Sequence, residues 1–211
     1  KYATDGDGDG KIDLWNSPAD ALSSAAALLD GAGWQRGQPW GYEVNLPRGF
    51  DYAQAELDNT KPVSAWRAMG VKTALGANLP NETADAAIFM PGGARGPAFL
   101  LFPNFKVILK YNNSTAYALG IGLLASRING GPSLIAAWPR DEMALSREQK
   151  FQFQRDLAAL GFDPGPIDGM IGKQVRGALR AYQTARGLPA DGFATTELLE
   201  RMDREAAAKS H

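Results

Sequence analysis

The 211 residues predict an α+β fold in two parts, a mixed region with a small antiparallel sheet followed by a smaller three-helix domain. Three observations carry this. Apolar residues recur at helical spacing after Ser17, after Ser114 and three times beyond Arg147. Short alternating or β-rich runs, separated by glycine and proline turns, lie between the first two helices, as antiparallel hairpins require. A stretch at 129–146 with Gly130-Gly131-Pro132 and Trp138-Pro139, followed by acids and bases, then separates the two parts as a linker.

The first helix starts at Ser17-Pro18. Serine caps, proline suits the first helical position, and Asp20 in the first turn complements the helix dipole. Leu22, Ala25, Ala26 and Leu29 form its apolar stripe, and Gly31 and Gly33 end it. Tyr42 to Leu46 alternates like a strand. Pro62 to Met69 reads as a short helix stopped by Gly70. Ala86–Met90 and Ala98–Phe102 are partner strands around a turn at 91–97, which places a small α/β subdomain at about 40–103. Phe105 to Lys110 suggests one or two helical turns, and Ser114 caps a helix to Ile128. In the second part, helices are expected at about 147–160, 173–186 and 194–204, with Leu157, Leu160, Ala178, Leu179, Tyr182 and Leu198 as the core and a frayed tail at 206–211.

Composition removes several kinds of function. Net charge is −1, so nothing points to nucleic acid or an anionic membrane surface. No apolar run is long enough to span a membrane. There is no cysteine, and the one histidine is His211 at the C-terminus. That excludes disulfides, thiolate or histidine zinc sites and Ser-His-Asp triads, leaving carboxylates and tyrosines for acid/base chemistry. A chain opening on Lys1, with no leader, is expected to be processed or partial.

The N-terminus carries the sharpest motif. Asp5, Asp7 and Asp9 alternate, then Gly10 permits the turn that presents the Lys11 carbonyl, and apolar Ile12 follows. This is the first half of an EF-hand loop, in which alternate oxygens converge on a calcium ion. Position 12, normally glutamate, is Asn16; the next acid, Asp20, closes a longer loop over 5–20. Asp13 is at best a spare ligand. The competing reading is a solvated Gly-Asp turn, with Asp20 serving only the helix dipole.

Gln154, Leu157, Leu160-Gly161-Phe162, Pro164-Gly165, Ile167-Asp168-Gly169, Ala178-Leu179, Tyr182-Gln183, Gly187-Leu188-Pro189 and Asp191-Gly192 resemble the type 1 peptidoglycan-binding domain, here at 141–205. Val175 replaces that family's usual threonine. Residues 1–140 resemble the C-terminal part of the lytic murein transglycosylase B family. The likeness rests on the loop from Asp5 to Asn16, the alanine-rich helix and Gly33-Trp34-Gln35-Arg36-Gly37, on Phe102-Pro103-Asn104-Phe105, and on Lys110-Tyr111-Asn112-Asn113-Ser114-Thr115-Ala116-Tyr117-Ala118.

The resemblance implies a partial lysozyme-like domain with a calcium loop. It implies non-hydrolytic cleavage of the MurNAc–GlcNAc bond, giving 1,6-anhydro ends, in the periplasm or envelope of a bacterium. One glutamate of that family protonates the leaving oxygen and then, as base, assists attack by the MurNAc 6-hydroxyl. It lies in a Glu-Ser/Thr-x-Phe/Tyr-Gly context ahead of the calcium loop, and no such motif occurs in residues 1–211. Glu43, Glu56 and Glu82 lack it, so no catalytic residue is expected in this chain, and the upstream half of the same enzyme is the expected partner. Peptidoglycan glycan strands are the implied substrate. Tyr111, Asn112 and Tyr117 would bind substrate, against the plainer readings of Asn112-Asn113-Ser114 as a helix cap and Tyr117 as core. Trp15, Trp34, Trp40, Trp66, Phe99 and Phe102 could stack on sugars but are expected in the core. Arg176, Arg180 and Tyr182 could touch glycan or stem peptide, or form an ordinary helix face. A non-catalytic wall-binding module and a calcium-responsive structural protein remain as alternatives.

Overall fold

A computed structural model describes residues 1–141 and 144–209. Positions 142 and 143 of the expected linker lie outside the described residues, as do 210 and 211 and with them His211. Helix α1 spans Pro18–Gly31, with Ser17 at the N-cap and Pro18 first. Its expected stripe is corrected at Leu22, which is 73% exposed; Asp20 is the one buried residue of this helix.

Five strands follow the order β2-β4-β5-β1-β3, all antiparallel: β1 Gly41–Asn45, β2 Lys61–Pro62, β3 Lys72–Thr73, β4 Asp85–Phe89 and β5 Ala98–Leu101. The two-residue strands β2 and β3 are too short to leave an alternating pattern in the sequence. Leu100 stands opposite both Tyr42 and Ile88. Alternation divides β5 between two cores. Ala98 and Leu100, with Phe102 just beyond, meet Val44, Ile88, Phe50 and Trp66. Phe99 and Leu101 face the other way, onto Trp40, Phe105, Ile108, Ala118 and Leu119. Helix α2 (Val63–Ala68) brings Trp66 to the first core, and its indole donates to the Ala86 carbonyl at 2.8 Å. A buried indole N–H needs such a partner. Helices α3 (Pro103–Tyr111) and α4 (Thr115–Ile128) cover the second face. Helix α3 begins two residues before the expected Phe105, with Pro103 at its first position.

Buried Asn104 fastens the segment before β1. Its amide donates to the carbonyls of Gln35 and Gln38, both at 2.9 Å, and accepts from the Gln35 N–H at 2.8 Å. Lys110 donates to the Ala32 carbonyl at 2.7 Å, tying α3 to the C-terminal end of α1.

Helices α5 (Arg147–Leu160), α6 (Lys173–Ala185) and α7 (Thr196–Lys209) share a separate cluster. Leu157, Leu179 and Tyr182 are fully buried there as expected, joined by Phe153, Val175, Leu199 and Met202. Leu160 and Leu198 lie at its edge. One device occurs twice. Buried Gln154 accepts from Gly169 N–H and donates to the Asp168 carboxylate; buried Gln183 accepts from Gly192 N–H and donates to the Asp191 carboxylate. Each glutamine closes an Asp-Gly turn whose glycine has φ near +70°, where a side chain would strain the backbone. The frayed tail is corrected over 206–209: α7 continues to Lys209, whose ammonium reaches the Ala159 carbonyl at 3.2 Å.

Candidate functional site

The acidic loop is held by its own amides. Asp5 accepts from Gly8 N–H at 2.6 Å and Gly10 N–H at 2.8 Å. Gly8 and Gly10 both have positive φ. Asp20, 1% exposed, reaches back from α1 to accept from Gly6 at 2.7 Å and Asp13 at 2.8 Å. Those two amides hold its carboxyl below the usual carboxylate range. Gly6 lies so close to Ala19 and Ser23 that a β-carbon would collide with α1. The result is a group in which carboxylate oxygens of Asp5, Asp7 and Asp20 lie within 4.8 Å of one another. No Lys or Arg among the described residues pairs with them. Three negative charges so close repel, and an all-oxygen set suits a hard divalent cation such as calcium. These residues therefore fit the ion that the loop sequence suggests.

One expected ligand stands apart. Asp9 is exposed and outside the group, because its carboxylate turns back to accept from the Lys11 N–H at 2.8 Å. Lys11 is exposed. Asp13 is occupied by the N–H groups of Trp15 and Asn16 and by the Asn16 side chain, which holds its carboxyl low. Ser17, read as a cap alone, also donates to Asp7 at 2.7 Å.

The second candidate is the junction of α3 and α4. Tyr111 ends α3 and Tyr117 lies in the first turn of α4; their rings stack 6.2 Å apart at 11°. They are 50% and 38% exposed, so Tyr117 is not core. Between them Asn112 breaks the helix in an extended conformation, its N–H on the Ile108 carbonyl and its own carbonyl accepting from Ser114. Ser114 caps α4 by accepting from Tyr117 N–H. The exposed Asn112 carboxamide has no hydrogen-bond partner among the described residues. All three expected substrate residues are thus on one surface turn, with aromatic faces and a free amide available.

Trp40 and Trp66, with Phe99 and Phe102, are core, whereas Trp15 is 95% exposed. Tyr182 is fully buried and donates to Glu205, so it does not face a ligand. Arg176 and Arg180 bind Glu56 across the two parts of the chain, at 2.9 and 3.0 Å. Burial pushes the Glu56 carboxyl up, but the two guanidinium hydrogen bonds outweigh it and hold the group below its ordinary value. Glu43 accepts from the N–H groups of Ile135 and Ala136. Neither pairing left a signal in the sequence, since both partners lie about 90 or more residues away.

Residues 1–126 match the family described as transglycosylase SLT domain, and residues 146–202 match a peptidoglycan binding domain. The Membrane-bound lytic murein transglycosylase B of Escherichia coli is 29% identical over 133 residues, 61% of this chain and 34% of that protein. Crystal structures of SltB3 from Pseudomonas aeruginosa, in complex with NAG-anhNAM-pentapeptide and with NAG-NAM-pentapeptide, are 52% and 53% identical. Both have a TM-score of 0.88; they cover 96% and 95% of this chain and 54% of theirs. The chain thus spans about half the length of SltB3 and a third of the E. coli protein. No described helix is long and apolar enough to cross a membrane. The fold is the lysozyme-like transglycosylase type, and the chain belongs to the transglycosylase SLT domain family, with a peptidoglycan binding domain at its C-terminal end.

Proposed function

We propose that this chain is the substrate-positioning and wall-binding portion of a bacterial lytic transglycosylase that cleaves MurNAc–GlcNAc bonds of peptidoglycan to 1,6-anhydro ends in the periplasm. The observation that carries this reading is the surface turn with stacked Tyr111 and Tyr117 flanking the unpartnered Asn112 amide. Aromatic faces stack on pyranose rings, and a free carboxamide suits an acetamido or ring oxygen. In this reading Asn112 orients the MurNAc unit and the tyrosines line the cleft. Calcium at Asp5, Asp7 and Asp20 supplies only structure, fixing the loop against α1 and hence α1 against α3. We place the division between the two units near residue 141.

The reaction needs a carboxyl that first donates and then accepts a proton. Glu43 and Glu56 are committed to internal partners, and Glu82 lacks the family's sequence context. Residues 1–211 alone should therefore release no anhydromuropeptides from sacculi, and joining the segment that carries the family's glutamate should restore release. General acid catalysis alone is worth about 10²–10⁴-fold. In that longer enzyme, Asn112→Ala should lower turnover while leaving the melting temperature unchanged. Mass spectrometry of the digest decides. Anhydro products from residues 1–211 alone would place the acid within this chain, and an unimpaired Asn112→Ala enzyme would reduce that residue to a helix break.

A further inference from the structure

Helix α1 buries one side chain, Asp20, so apolar contact does little to fix its pose and the ties at its two ends carry more weight. At the N-terminal end, the Asp20 carboxylate holds the Gly6 and Asp13 amides of the acidic loop. At the C-terminal end, the carbonyl of Ala32, the C-cap, accepts from the Lys110 ammonium at 2.7 Å. A cation suits that place, where carbonyls lack helical partners and the helix dipole is negative.

The chain ahead of the loop runs along the same helix. The ring of Tyr2 lies so close to Gly31 that a β-carbon there would collide with it. Thr4 N–H donates to the Ser24 hydroxyl at 2.8 Å, and Gly6 N–H donates to Asp20 at 2.7 Å. Residues 2–6 thus follow α1 from its last residue to its first turn and deliver Asp5 to the loop. The carboxylates of Asp5, Asp7 and Asp20 lie within 4.8 Å of one another and repel, so a divalent cation favours the closed loop over an opened one. A closed loop keeps residues 2–6 on α1, with Tyr2 one residue from the carbonyl that Lys110 grips.

Lys110 and Tyr111 share the last turn of α3, and Asn112 follows. The first turn of α3 is fixed separately, by buried Asn104 on Gln35 and Gln38. The last turn of a helix opens most easily, because its carbonyls have no helical partner. A tie at Lys110 therefore bears on how Tyr111 is held against Tyr117, the stacked pair beside the Asn112 amide.

We propose that a divalent cation at the acidic loop and a glycan at the tyrosine turn favour the same closed arrangement, each tightening the other, with Lys110 as the positioning residue between them. The proposal rests on the cell-wall reading above. Lys110 is in this scheme neither a metal ligand nor a sugar contact; it joins α1 to the turn.

The test uses the 211-residue chain, calcium chloride and a GlcNAc–MurNAc oligomer. Calorimetry should show the oligomer binding about fivefold more tightly in saturating calcium than in chelator. Linkage requires calcium to bind more tightly by the same factor when oligomer saturates the chain. Lys110→Met should bring both factors to about one. It should keep the rise in melting temperature that calcium gives, because the loop is untouched. Lys110→Arg should preserve the coupling, since a guanidinium can donate to the same carbonyl. Fluorotyrosine NMR adds a local readout, with six tyrosines in the chain to assign. Calcium should shift the Tyr2, Tyr111 and Tyr117 signals in wild type, and only Tyr2 of these three in Lys110→Met. Should Lys110→Met fail to fold, Tyr2→Ala, which frees Gly31, decides in its place: it should lower the factor, and an unchanged factor overturns the path. Oligomer that binds equally with and without calcium overturns the coupling and leaves the cell-wall reading standing, as does a chain that binds no calcium. Coupling that survives in Lys110→Met overturns the role of Lys110. A chain whose tyrosine signals respond to calcium but which binds no oligomer overturns the reading of the turn, and this proposal with it.

Discussion

In the three-helix unit, Phe153, Leu157, Leu179, Tyr182 and Met202 are fully buried against one another, whereas α1 and its acidic loop bury a single residue, Asp20. One end of the chain is held by apolar contact, with polar groups added where turns must close. The other is held by amides converging on carboxylates, with Trp15 and Leu22 left in solvent. Apolar burial is non-directional and large, about 25 cal/mol per Å². Hydrogen bonds in water contribute less each and depend on geometry. The helical unit should thus be stable by itself, and the loop should depend on what neutralises its charge.

Truncation in the helical core should have the largest effect. Leu179→Ala should cost about 2–5 kcal/mol, as deletions at fully buried leucines do. Leu22→Ala, on the open face of α1, should fall within about 0.5 kcal/mol of wild type. Chemical denaturation of both variants tests the contrast directly, and equal losses would mean that Leu22 is covered in the folded protein. Residues 145–209 alone should also give helical circular dichroism and a cooperative melt.

Calcium should produce the next largest change and act on the other end. With an affinity of about 10⁻⁴ M, as in extracellular calcium modules, 1 mM calcium should raise the melting temperature of the N-terminal unit by about 3–6 °C. Asp20→Asn should abolish that rise, because it removes one of three converging charges while keeping the side chain's size. Asp9→Asn should leave it nearly intact, since Asp9 is outside the group. The reverse ranking would show that the loop rearranges around the ion to recruit Asp9.

The two ends also differed in how far they could be read from sequence. In the helical unit, period and turn chemistry specified the elements: Leu157 with Leu160, and Leu179 with Tyr182, stand three residues apart, and Asp-Gly dipeptides mark turns. The buried Gln154 and Gln183 that close those turns belong to the motif shared with the family, but their partners lie 8 to 15 residues away and follow no period. In the loop, the alternation of Asp5, Asp7 and Asp9 gave the chemistry but not the membership. Whether Asp9 points inward depends on a backbone amide two residues on, and spacing alone does not decide that. Leu22 departs from the expected stripe for a related reason. A helical stripe shows which face is apolar, not whether anything covers it. The pairing of Glu56 with Arg176 and Arg180 left no signal because those partners are 120 and 124 residues away.

The smallest expected effect sets the two kinds of carboxylate against each other in pH. Glu56 has a folded-state pKa below its ordinary value, so it contributes stability above the unfolded pKa near 4.5 and loses it as pH falls through the lower folded value. Asp156 behaves oppositely. It is buried on α5, and one of its oxygens, Oδ2, has no hydrogen-bond partner. Burial raises its pKa, the Gln152 hydrogen bond only partly offsets that, and nearby Asp203 raises it further. The folded state therefore takes up a proton more readily than the unfolded chain, and Asp156 becomes less costly as pH drops from neutral through its raised pKa. Asp156→Asn removes the charge and keeps an oxygen for Gln152. At pH 7 it should raise the melting temperature slightly, and the gain should shrink as pH falls through the raised pKa of wild-type Asp156. Glu56→Gln should instead lower the melting temperature at pH 7, with the loss fading as pH falls from the unfolded pKa through the lowered folded one. Parallel melts of the two variants between pH 4 and 8 should diverge as pH rises. Asp156→Asn and wild-type curves that keep a constant separation would show that Asp156 titrates as an ordinary surface carboxylate, with water reaching Oδ2.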